Sequence, residues 1–85
     1  MGILIKTDGT QEQVAPLNGE NFELPQLQGF VGGLIELVPL DEGQAVMVVN
    51  EEGLLVGLEP NPVASILAGQ WIVGDVLLTP SEMIK

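Results

Sequence analysis

The chain has 85 residues, of which twelve are acidic and only two, Lys6 and Lys85, are basic, so its formal net charge is −10. It holds no His, Cys, Arg or Tyr, which removes the imidazole base, the thiolate, the soft metal ligands and the guanidinium fork and leaves carboxylates, hydroxyls, amides and two amines. So acidic a chain repels nucleic-acid backbone and anionic lipid, because affinity for either rests on Lys and Arg.

Length allows a single domain over residues 1–85, and a hydrophobic fraction of 46% is ample for a folded core. Ile3-Leu4-Ile5-Lys6-Thr7 is a β-branched, apolar run that stops at Asp8-Gly9, a dipeptide suited to a tight turn, and Gln11 to Ala15 returns as the second strand. Asn18-Gly19 marks another turn. From Glu23 to Val31, Leu24, Leu27, Phe30 and Val31 share one helical face, Pro25 stands at the start and Gly32-Gly33 form the stop. Leu34 to Leu40 and Ala45 to Asn50 predict a hairpin whose first strand is a sheet edge at Pro39 or is ending there, because Pro39 has no N–H to give a second neighbour. Leu54 to Leu58 is apolar but carries no clear period. Asn61-Pro62 opens a second short helix ending at Gly69, and Trp71 to Thr79 predicts the last strand, ended by Pro80 with residues 80–85 as a tail. These elements make an α+β domain, a mostly antiparallel sheet of four or five strands with two short helices.

On this reading Ile35, Leu37, Val46, Val48, Ile72, Val76 and Leu78 form one buried layer. Leu34, Leu40, Met47, Val49, Leu54, Leu55, Val56, Leu77, Met83 and Ile84 are then left over, more apolar surface than so short a chain hides alone, so self-association, most simply as a dimer, is expected. The absence of Cys, of a basic stretch before an apolar one and of any apolar run near ~20 residues points to a cytoplasmic protein without an export signal or membrane span.

Several short motifs recur together: Ile5-Lys6-Thr7-Asp8-Gly9, Val31-Gly32-Gly33, Val48-Val49-Asn50-Glu51-Glu52-Gly53, Asn61-Pro62-Val63-Ala64 and Ile72-Val73-Gly74-Asp75-Val76. In this combination the chain resembles a small domain family of unknown function found in phages, plasmids and bacteria. The resemblance implies a mobile-element setting and brings no reaction whose catalytic residues could be transferred.

Asn50, Asn61 and Asp75 are the polar residues of these motifs, each with two readings. Asn50 suits an Asx turn, Asn61 a helix cap and Asp75 a bend at Gly74; alternatively all three converge on a pocket for a small polar, nucleotide-like ligand, with Trp71 or Phe30 as a stacking face. On one strand Trp71 and Asp75 would share a face about 13 Å apart, at ~3.3 Å per residue. Gly32 and Gly33 read as a helix stop or as main-chain donors to an anion, and Lys6 as a solvated strand residue or the one internal charge partner of such a ligand. Glu51 and Glu52 lack the alternating oxygen pattern of a calcium loop, so neither metal nor cofactor is expected. A non-catalytic domain that binds a protein partner, such as a host protein, is the expected function. The alternatives are a sequestering pocket and an acidic mimic of nucleic acid.

Overall fold

A computed structural model describes residues 1–84; Lys85, at the end of the expected tail, lies outside the described residues. The first hairpin joins β1 (Gly2–Ile5) to β2 (Gln11–Val14). Its turn is tied by the N–H of Gly9 to the Lys6 carbonyl and by the N–H of Lys6 to the Thr10 carbonyl, both at 2.9 Å. Helix α1 (Leu24–Val31) begins with Pro25 in its first turn and ends where Gly32 turns left-handed; the N–H groups of Gly32 and Gly33 both return to the Gln28 carbonyl. The hairpin of β3 (Ile35–Leu40) and β4 (Ala45–Asn50) follows, then helix α2 (Pro62–Ala68), capped by Asn61 and stopped by Gly69, and finally β5 (Val76–Pro80).

All five strands pair antiparallel in the order β2-β1-β5-β4-β3, so the sheet and the two helices form an α+β fold with β3 on a free edge. The edge position of Pro39 follows from its missing N–H. Leu34 accepts a hydrogen bond from Glu51 N–H, so in the alternating antiparallel ladder Glu36, Val38 and Leu40 bond to β4 while the polar main-chain groups of Ile35, Leu37 and Pro39 point away from the sheet. Proline occupies one of the places where no donor is used.

One expected element differs, and one unassigned stretch takes shape. The final strand begins at Val76 rather than Trp71, because Gly74 adopts φ +80°, which an extended strand forbids, and Trp71 and Asp75 therefore do not share a strand face. Leu54 to Gly57 lies in a series of turns spanning residues 51–57, with Leu58 just beyond it and Gly57 also at positive φ. Beyond Pro80 the chain makes a 3-10 turn (Ser81–Met83), and Ile84 bridges in parallel to Phe22.

The core occupies both faces of the sheet, not one. On the α2 face, Ile5, Met47, Val49 and Val76 pack with Ala64 and Ile72. On the α1 face, Val48 and Leu77 pack with Phe22, Leu27 and Val31. Gly2 belongs to this second layer: a Cβ there would stand 2.8 Å from Leu77 Cδ1 and 3.2 Å from the Phe22 ring, so the absent side chain is what lets Phe22 lie over β1. Of the single layer expected, Val46, Val48, Ile72 and Val76 are buried, but they are divided between the faces, and Leu37 is 45% exposed. Of the expected surplus, Met47, Val49 and Leu77 are core residues, whereas Leu34, Leu54, Leu55 and Val56 do stay exposed.

Val48 is fully buried between β4 and α1, so a carboxylate there has neither water nor a partner. Val48→Asp is expected to abolish the cooperative thermal transition, and a midpoint near that of wild type would contradict this core. The first hairpin makes a pH prediction. The Asp8 carboxylate accepts from the Thr10 hydroxyl at 2.6 Å and the Thr10 N–H at 2.9 Å, and these bonds, the hydroxyl first, hold its pKa below the ordinary 3.8. Since the unfolded chain takes up the proton first, this contribution is complete above the unfolded pKa and vanishes as pH falls through the folded one. The denaturation midpoints of wild type and Asp8→Asn should therefore differ most at neutral pH and converge below the ordinary aspartate range; a gap that widens on acidification would reverse the assignment.

Candidate functional site

The residues singled out in the sequence do not gather around one cavity. Asn61 is completely buried, and its side chain is fully engaged. Its amide donates to the carbonyls of Ile5 at 3.0 Å and Gly74 at 2.9 Å, while Oδ1 accepts from Ala64 N–H at 3.1 Å to cap α2. No part of it faces a ligand. Asp75 Oδ1 accepts from Thr7 N–H at 3.1 Å, and Asn50 donates to the Val31 carbonyl at 3.0 Å while accepting from Glu52 N–H at 2.8 Å. Gly33 gives room for that Asn50 amide, which would lie 3.0 Å from a Cβ. The motif residues thus grip one another: Asp75 holds the Thr7 turn, Asn50 holds the end of α1 beside Gly33, and Asn61 joins β1, α2 and the Gly74 bend.

The other candidates lie apart. Gly32 and Asp75 border a shallow depression of about 380 Å³ with Thr7 and Glu59. Lys6 is half-buried at the first hairpin, where it adds a small favourable charge to Asp8. Trp71, the only tryptophan, is 65% exposed.

Trp71 and Asn50 both line the feature best suited to recognition, a groove of about 590 Å³ beside the free edge of β3. One side consists of residues 36–39 of β3, another of Gln70 to Val73, and its end of Leu54 and Leu55, with Val49 also contributing. Alternation along β3 sends the side chains of Glu36 and Val38 to the α2 face, so Leu37 and Pro39 meet this groove with main chain. Their side chains go to the opposite face, where they line a second depression of about 380 Å³ with Val46 and Ile84. The free edge of the sheet thus carries an apolar hollow on each side.

The charge around the main groove has one sign. Glu36 and Glu51 line it and Lys6 does not. The groove therefore combines apolar side chains, polar groups and an acidic margin, which suits apolar side chains flanked by cations. Among the described residues, no group of three or more His, Cys, Asp or Glu is placed to hold a metal ion. The sequence reading missed Leu37 and Gln70 as members of the site. One signal was present: Leu54-Leu55-Val56, a run of apolar residues between Gly53 and Gly57, reads as surplus to any strand or helix and remains exposed in the fold.

If the Asn61 amide joins three parts of the core, Asn61→Ser should keep the helix cap yet lose about 1–3 kcal/mol through a buried acceptor left unpaired. Asn61→Ala should cost about 1 kcal/mol more, the worth of the cap. Urea denaturation checks both, and a serine variant as stable as wild type would show the amide bonds to be dispensable.

Among the described residues no helix is long and apolar enough to cross a membrane. Neither the curated proteins nor the solved structures yield a significant match to the chain. A family model described as a domain of unknown function (DUF3846) matches residues 1–83, nearly the whole sequence, and with its five-stranded antiparallel sheet and two helices the chain is a member of that family.

Proposed function

We propose that the domain is a non-catalytic binding module that holds a protein partner in the groove between β3 and Trp71. The observation that carries this reading is the exposure of Trp71, at 65%, together with Leu54 at 71% and Leu55 at 86%, on the walls of one groove. A tryptophan that contributes little to its own core offers a large, rigid apolar face to another molecule at low entropic cost. The partner's chemistry follows from the margin: with Glu36 and Glu51 on the groove and a net charge of −10 behind them, a basic protein surface with apolar side chains is the complement. The mobile-element setting implied by the family resemblance makes a host protein the natural partner.

A small-ligand pocket has less support, because the amide best suited to orient one, that of Asn61, is enclosed and saturated. Mimicry of nucleic acid would depend on charge alone and would leave the apolar walls without a role.

The test is affinity capture from bacterial lysate by three forms of the protein. A partner held by wild type should be lost with the double change Trp71→Ser, Leu55→Ser and kept with Leu17→Ser, which alters a residue 87% exposed but outside the groove. Capture should persist at about 0.5 M salt, where the Debye length is only a few ångströms and attraction between exposed charges is largely screened. Release by salt alone, or by competing duplex DNA, would favour mimicry over the groove.

A further inference from the structure

We infer that the partner enters as an extended, cationic segment that adds to the free edge of β3 as a sixth strand; this rests on the groove being the binding site. The ladder orientation leaves the N–H and C=O of Ile35 and Leu37 and the C=O of Pro39 pointing out of the sheet. These are the groups an incoming strand uses, and its side chains then alternate between the two faces of the sheet. Both faces are prepared at this edge: the 590 Å³ groove with Trp71 and Leu55 receives one set, and the 380 Å³ depression with Val46 and Ile84 receives the other. The opposite edge, β2, is Gln-Glu-Gln-Val with its first three residues exposed, and borders neither hollow.

Pro39 sets the register. It offers an acceptor but no donor, so pairing is complete opposite Ile35 and Leu37 and weakens at Pro39. Charge selects the occupant. Glu36 and Glu51 favour Lys or Arg flanking the apolar core of the segment, whereas a second copy of this chain brings the same negative charge to the edge and, paired about a twofold axis at Glu36, sets that carboxylate against its own copy.

The probe is the acetylated, amidated hexapeptide Lys-Leu-Val-Leu-Val-Lys, with binding read from the emission of Trp71, the single tryptophan. Two further peptides carry N-methyl groups at alternate residues, one in each parity. Saturable binding by the parent is expected, with one methylated form at least about tenfold weaker, as the loss of a hydrogen bond worth about 1.4 kcal/mol requires, and the other little changed. On the protein side, Leu37→Pro removes an outward N–H that the sheet does not use and should abolish binding, while Leu17→Ser, which lies outside both hollows, keeps it. Because methylation alters only the probe, the result does not depend on any variant folding. Equal binding by all three peptides would overturn strand addition and leave the groove reading standing. No change in Trp71 emission at about 1 mM peptide, a binding free energy weaker than about −4.1 kcal/mol, would overturn both. A concentration-dependent dimer that excludes the probe and is lost in Leu37→Pro would assign the edge to a second copy and overturn the cationic partner.

Discussion

The fold depends on the side chain of Asn61. Its three hydrogen bonds reach the end of β1, the first turn of α2 and the bend at Gly74, and its own N–H donates to the Ile72 carbonyl at 2.9 Å. A carboxylate in its place would lack the two donors, an alcohol could not span the three partners, and an apolar side chain would leave buried carbonyls dry. Because residues 72 to 74 are held there, Ile72 is packed into the core while Trp71 beside it projects outward. One enclosed amide thereby sets the position of the groove wall without taking part in the site.

Two-sided burial of the sheet explains the rest of the surface. With helices and loops covering both faces of β1, β4 and β5, the interior takes up Met47, Val49 and Leu77, while apolar side chains stay exposed on both helices, at Leu17, Leu34 and Leu37, in the turns at residues 54–56 and at Trp71. Concentration of such residues in one concavity is what sets the groove beside β3 apart. Scattered leucines are ordinary on a protein surface, whereas a Trp and two leucines on the walls of one concavity, next to unpaired main chain, form a place where a partner displaces water from apolar area and satisfies polar groups together.

Much of this was legible from residues alone, for identifiable reasons. Pro39 announced an edge because it lacks a donor, Asn61-Pro62 announced a helix start, and Asp8-Gly9 announced a hairpin. The unbroken run Ala45-Val46-Met47-Val48-Val49 also signalled burial on both faces, since a half-exposed strand alternates, although the one-layer reading used only half of it. Other features could not be read locally. Asn61 bonds to Ile5, 56 positions away, and nothing near either residue specifies that pairing. The role of Gly74 was ambiguous because glycine is compatible with a strand and with a bend; only the fold shows its φ of +80° and Leu58 Cδ1 standing 2.7 Å from where a Cβ would lie. The groove draws residues from four stretches of chain, so only the assembled sheet reveals it.

The strand order also has a consequence for how the protein is made. β5, the last strand in the chain, lies at the centre of the sheet between β1 and β4. The two hairpins, β1–β2 and β3–β4, pair neighbours in sequence and can form as soon as they are synthesised, but they share no ladder with each other; only residues 76–80 join them, with Val76 opposite Ile5. Until that strand arrives, β1 and β4 each expose an apolar edge to the cell, and loop closure over most of the chain must precede the final pairing. A nascent chain therefore carries two separate hairpins from the completion of β4 at Asn50 until Val76 is made, and a stop codon shortly before Val76 leaves two unjoined halves with edges prone to pair elsewhere.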